Sequence, residues 1–217
     1  MNRVIAAFVL ILSAASALAD QWLPATPHTY ASYFGNYRLT VFPRRISDPL
    51  SFFQDKVEGA QPAGQLVNAP QRCEATLERL AGNHYEELWR HPLVNDVAPV
   101  SVLVSDRSGA FVTFDTWHAV GCCKDTIVIY DSAGTVIRMF ELSDLLSDVE
   151  IDQLQRTVSS THWGGEHDLA WVEDEEIVEL AIVANGKFPS DADAEYKTVQ
   201  IRMRDGAVVE TSNAPPN

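Results

Sequence analysis

Two tetrapeptides with the same spacing constrain this chain most: Asp106-Arg107-Ser108-Gly109 and Asp131-Ser132-Ala133-Gly134. Each lies between two short runs dominated by Val, Ile, Phe, Thr and Tyr, at 100–105 and 110–116 and again at 126–130 and 135–141. A type I turn favours Asp at its first position, where the carboxylate bonds nearby backbone N–H groups. It favours Gly at its fourth, where a positive φ lets the strand resume through a bulge. Four short strands and two such turns within residues 101–141 read as an antiparallel meander.

The rest of the chain repeats this hairpin logic. Residues 37–42 alternate in polarity and end at Pro43, as a strand would. Strands at 75–80 and 85–90 flank Ala81-Gly82-Asn83, and others are expected at 169–172, 177–183, 198–203 and 207–210. Two segments break the pattern. Asp48-Pro49 reads as an N-cap followed by Pro at the first helical position, opening a short helix near 49–57. Residues 143–157 place Leu145, Leu146, Val149 and Leu154 at near-helical spacing, with acidic residues early and Arg156 late. This predicts an amphipathic helix or two short ones. The fold class is therefore all-β, built of antiparallel hairpins and meanders with two short helical segments. Residues 20–36 read as an irregular arm, 59–70 as a loop, and 212–217 as a frayed tail.

The stretch VLVSDRSGAFVTFDTW followed by DTIVIYDSAGTVIRMFEL resembles a blade of the propeller-like proteins that bacteria export. Blade-like segments can be drawn at about 66–96, 100–141 and 168–211, and propellers close with four or more blades. The turns here are D-x-x-G rather than the S-x-D-x-G of sialidase repeats, and the Trp-Asp signature of another propeller class is missing. With three segments rather than four, the resemblance implies an open or irregular stack of small antiparallel sheets, or a sandwich.

Residues 1–19 predict an export signal: a short start carrying Arg3, an apolar run over 4–12, and a small-residue stretch ending in Ala17-Leu18-Ala19. The run is shorter than the about 20 residues that span a bilayer, so cleavage after Ala19 is expected to leave residues 20–217 as a single soluble domain in the periplasm or outside the cell. The formal net charge of −14, from 16 Lys and Arg against 30 Asp and Glu, repels phosphate backbones and anionic membranes. Neither nucleic acid nor membrane insertion of the mature chain is expected.

Three cysteines, Cys73, Cys122 and Cys123, enter an oxidising compartment. The expectation favoured here is a structural disulfide from Cys73 to Cys122 or Cys123. A vicinal Cys122–Cys123 bond is the rarer choice, because its eight-membered ring constrains the peptide between them. His118 lies four residues before Cys122, and two thiolates with an imidazole would suit Cu(I) or Zn(II). His162-Trp163-Gly164-Gly165-Glu166-His167 has one residue too many for H-x-x-E-H and two glycines that disfavour helix, so it reads as a turn between strands with Trp163 packed inward. Between Glu141 and Leu180 twelve acidic residues face one basic residue, Arg156. That excess reads as a solvated face, and no EF-hand loop occurs.

No G-x-S-x-G, S-x-x-K, P-loop, G-x-G-x-x-G or C-x-x-C is present, so no catalytic motif and no cofactor is indicated. The leading expectation is a non-enzymatic exported binding module for a protein or small molecule, with Trp117 and His118 of the 116–125 loop, and Trp163, as candidate contacts. The alternative is a periplasmic metal-binding or thiol-redox protein using His118, Cys122 and Cys123. A carboxylate-pair hydrolase leaves no sequence fingerprint, so sequence alone leaves that class open.

Overall fold

The computed structural model describes residues 24–212; the expected signal peptide at 1–19, the first residues of the arm and the tail beyond 212 lie outside the described residues. The chain folds into three consecutive four-stranded antiparallel meanders. The first sheet holds β1 (His28–Ala31), β2 (Tyr37–Phe42), β3 (Glu74–Ala81) and β4 (His84–Pro92). The second holds β5 (Ser101–Val104), β6 (Phe111–Phe114), β7 (Ile127–Tyr130) and β8 (Val136–Phe140). A two-stranded ribbon of β9 (Gln155–Arg156) and β10 (Thr161–His162) leads into the third sheet. That sheet comprises β11 (Gly164–Val172), β12 (Glu175–Val183), β13 (Tyr196–Arg202) and β14 (Val208–Ser212). Strands neighbour one another in chain order throughout, and among the described residues no sheet closes on itself.

The middle sheet is covered on both faces, and its strands show why. All four residues of β6 and all four of β7 are buried. Side chains alternate across a strand, so such a run must serve two cores at once. Val112, Phe114, Ile127 and Ile129 face Val178, Leu180, Ile182 and Val199 of the third sheet. Phe111, Val128 and Tyr130 face Leu39, Ala75 and Leu77 of the first. The molecule is thus three stacked β layers with two apolar interiors.

Both expected helical segments form. α1 (Pro49–Glu58) starts where Asp48 accepts the Ser51 N–H at 2.9 Å and stops at Gly59, whose φ of 76° is open to glycine at little cost. It buries Phe52 in a small satellite core with Ala63 and Val97. The second segment splits into a 3₁₀ turn (Leu142–Asp144) and α2 (Asp148–Gln153), the latter opened by a capping box of Ser147 and Glu150.

Three expectations are corrected. Residues 28–31, read as part of an irregular arm, form β1, which pairs along β2 from His28–Val41 to Ala31–Arg38. The blade-like segment drawn from residue 66 is only the second half of the first sheet, because helix α1 and its loops are inserted between β2 and β3. Gly164-Gly165 is not a turn: both glycines lie in β11, beside a bulge before His167. A Cβ on Gly165 would sit 2.8 Å from the Tyr196 ring, so close packing is what requires glycine there.

Candidate functional site

The loop from β6 to β7 is held from below by one buried carboxylate. Asp115 directly follows β6 with a φ of 57°, a left-handed conformation that Asp tolerates better than most residues. Its N–H donates to Thr126 O at 2.7 Å. Its Oδ1 accepts the Gly121 N–H at 2.7 Å and the Trp163 indole N–H at 3.1 Å. Burial pushes the Asp115 carboxyl up to about 6, against the lowering effect of those two bonds.

The remaining loop bonds leave the backbone little freedom. Thr116 and Ala119 exchange backbone bonds at 3.2 and 3.0 Å. Val120 donates to Ser160 Oγ at 3.1 Å, and its carbonyl takes the Thr161 N–H at 2.8 Å. The Cys123 carbonyl accepts both the N–H and the hydroxyl of Thr126, at 3.1 and 2.6 Å. Gly121, at a φ of 63°, could not carry a side chain, because a Cβ would lie 2.5 Å from Thr161 O.

On this base sits a vicinal disulfide joining Cys122 to Cys123, with Cys122 exposed and Cys123 half-buried. The expected pairing of Cys73 is therefore overturned. Cys73 is a buried thiol that donates to Asn95 O at 3.3 Å. Burial, aided by the nearby Asp96, pushes that thiol up to about 12, which leaves it unreactive. His118 is half-buried beside the disulfide, its ring 5.2 Å from that of Phe52 on α1. Burial, with a smaller contribution from Lys56, lowers it to about 4, so it is neutral at pH 7. One ligand atom from each of His118, Cys122 and Cys123 lies within 4.8 Å of the others. The two-thiolate set expected from sequence does not exist in this state, because the sulfurs are bonded to each other.

The other candidate contacts separate. Trp117 packs against Phe52 at 5.6 Å and lines a shallow 260 Å³ recess with Pro24, Ala25 and Arg45. Trp163 is only 1% exposed and cannot touch a ligand; its role is to donate to Asp115 and to stack on His167 at 4.7 Å. Of the acidic run, Glu175 is paired with Arg202 and Arg204, and Glu176 accepts from Ser108 Oγ at 3.0 Å.

A second place, which sequence reading missed, is a 510 Å³ cleft along the first strands of the three sheets. Strand β5 touches β1 and β2 on one side and β11 on the other, and β1, β5 and β11 are each edge strands. Tyr33 and Phe34, on the β1–β2 turn, stand 90% and 77% exposed at its rim. Across from them the Arg107 guanidinium lies 3.6 Å over the ring of Trp171, which is 41% exposed. Asp168 and Glu176 complete the wall. The strand position of Trp171 is legible in the sequence, but which face the third sheet leaves open is not. A second hollow of 460 Å³ continues past Arg107 and Trp171 toward Arg202 and Arg204.

Compared with models of protein families, with curated proteins and with solved structures, the chain finds no match in any of the three.

Proposed function

We propose that the protein is an exported, non-enzymatic binding module that takes an extended, basic polypeptide segment in the cleft along β1, β5 and β11. The observation that carries this reading is the cleft itself: exposed Tyr33, Phe34 and Trp171 around 510 Å³, where the other large aromatics among the described residues are buried or half-buried. Exposed aromatics beside a concavity are what recognition surfaces are made of. Two further features narrow the ligand. Edge strands pair on one side only, so β5 and β11 each offer unpaired backbone groups that an added strand can use. The charges facing the cleft are Asp106, Asp168 and Glu176 against Arg107, in a molecule of net charge −14, which favours a basic partner. The signal-like residues 1–19 support export, and the four-stranded meanders resemble blades of an open propeller.

The test is an array of random short synthetic peptides probed with the exported chain. Selection of peptides rich in Lys and Arg, weakened about tenfold by Trp171→Ala and by Asp168→Asn with Glu176→Gln, is the expected result. Capture that ignores these substitutions, or no selection at all, overturns the reading.

A further inference from the structure

The vicinal disulfide stands apart from the cleft and has a different chemistry. We propose that the Cys122–Cys123 loop is the closed state of a redox-gated site for a soft monovalent metal ion, Cu(I), whose ligands on opening are the two thiolates and Nε2 of His118.

The ligand geometry is nearly assembled. Metal–sulfur and metal–imidazole bonds of about 2.3 and 2.0 Å place N and S about 3.5–3.7 Å apart at tetrahedral or trigonal angles, and the two sulfurs about 3.8–4.0 Å apart. Here one ring nitrogen of His118 and the two sulfurs already lie within 4.8 Å of one another. Breaking the S–S bond and turning the exposed Cys122 side chain outward is the movement that remains. The backbone need not follow, because Gly121 is held by Asp115, Val120 by Ser160 and Thr161, and Cys123 O by Thr126. The usual objection to adjacent cysteines, that they point apart, does not apply to a pair whose sulfurs already meet.

The histidine is prepared in the way metal-binding histidines are. Thr116 Oγ1 lies 3.2 Å from His118 Nδ1 and also 3.2 Å from the Ala119 carbonyl. The carbonyl can only accept, so the single hydroxyl proton goes to it, and the hydroxyl oxygen accepts the Nδ1–H of His118. That assigns the tautomer with its lone pair on Nε2, oriented by a second partner on Nδ1. Among the described residues no fourth ligand joins the three, and two soft sulfurs with one imidazole favour Cu(I) over an ion that demands four ligands.

The cycle balances with a dithiol reductant. The dithiol gives two electrons and two protons to the Cys122–Cys123 bond and becomes a disulfide itself, leaving two thiols on the loop. Binding of Cu(I) then displaces both thiol protons to solvent. Exposure of Cys122 gives such a dithiol access to a sulfur.

The experiment loads the exported chain anaerobically with Cu(I) supplied as its bicinchoninate complex, before and after reduction, and counts copper per chain after desalting. One copper in the reduced chain and none in the oxidised chain is expected. Cys122→Ser and Cys123→Ser should abolish retention, His118→Ala should weaken affinity at least about tenfold, and Cys73→Ser should retain one copper. Circular dichroism on each variant separates loss of a ligand from loss of fold. Equal copper in both redox states, none in a folded reduced chain, or full affinity in folded His118→Ala overturns the proposal. None of these outcomes bears on peptide binding at the cleft.

Discussion

Trp163 donates its indole N–H to Asp115 at 3.1 Å, to the same carboxylate oxygen that takes the Gly121 N–H at 2.7 Å. Trp163, the largest fully buried side chain among the described residues, sits in the core between the second and third sheets and is thereby joined to the base of the disulfide loop. The other face of that relationship is electrostatic. An acidic side chain, 7% exposed, has two neutral donors and no cation bonded to it. Two hydrogen bonds do not fully replace the water it has lost, and its carboxyl rises to about 6.

Asparagine at 115 keeps the acceptor oxygen and removes the charge. A carboxyl raised from 3.8 to about 6 destabilises the folded state at pH 7 by up to about 3 kcal/mol relative to a neutral side chain. Asp115→Asn is therefore expected to match or exceed the parent in urea unfolding at pH 7. Asp115→Ala leaves two buried donors unpaired and should cost about 2–5 kcal/mol. Because the folded pKa is raised, the Asp115 contribution is full below about pH 4 and is lost as pH rises through about 6. The Asn variant should lack that component. Equal losses for Asn and Ala would mean that the charge itself is needed.

His167 lies on the other side of the same indole and pulls the opposite way. It stacks on Trp163 at 4.7 Å and meets Phe114 at 4.6 Å, and burial lowers it to about 4. An unfolded chain takes up a proton on His167 near 6.5, while the folded chain resists until about 4. Stability from this group is present above pH 6.5 and is lost as pH falls toward 4, by up to about 3 kcal/mol. Between pH 6.5 and 4 the two effects partly cancel. His167→Phe keeps an aromatic ring in the stack and removes the proton site. Unfolding free energies measured from pH 7 to pH 4 should then fall less on acidification than in the parent, the remaining loss coming from His118, which burial also lowers to about 4. A variant whose loss over that range equals the parent's would show that His167 is not the acid-sensitive group.

Local chemistry was legible and assembly was not. The limits of α1 follow from Asp48, Pro49 and Gly59, each acting within one turn of its own position. The Asp131–Gly134 turn forms as its spacing predicts, with Asp131 Oδ1 accepting the Ala133 and Thr135 N–H groups at 2.9 and 2.8 Å. The twin turn at Asp106 does not use its aspartate in that way. Ser105 Oγ takes the N–H groups of Arg107 and Ser108, and the Asp106 carboxylate reaches across to the β1–β2 turn. The same four-residue spacing serves two purposes because the second depends on a partner some seventy residues away. The cleft was invisible for a related reason, since its walls are edges of three sheets that no local period relates. The disulfide was misassigned because the compartment argument speaks only to oxidation, whereas the choice of partner depended on where β3 buries Cys73.

Asp106 also decides whether the cleft keeps its aromatic rim. Its Oδ1 accepts the Ser32 hydroxyl at 2.5 Å, and its Oδ2 the Phe34 N–H at 2.8 Å. Those bonds tie the turn carrying Tyr33 and Phe34 to the start of the β5–β6 turn. The tether lies near the surface, so Asp106→Ala should cost only about 1–2 kcal/mol of global stability. Its larger effect is local. Freed of the carboxylate, residues 32–36 should exchange their amide protons faster, while the amides of β6 and β7 keep their protection. A rim that must be ordered on binding takes that ordering from the affinity, so the peptides selected by the parent should bind Asp106→Ala about tenfold more weakly. Hydrogen exchange and peptide titration on the same variant separate the two ways affinity can fall. Weaker binding with faster exchange at 32–36 identifies Asp106 as the residue that positions the aromatics. Weaker binding with unchanged exchange would instead make Asp106 a direct contact of the basic ligand, and unchanged binding would remove Tyr33 and Phe34 from the recognition surface.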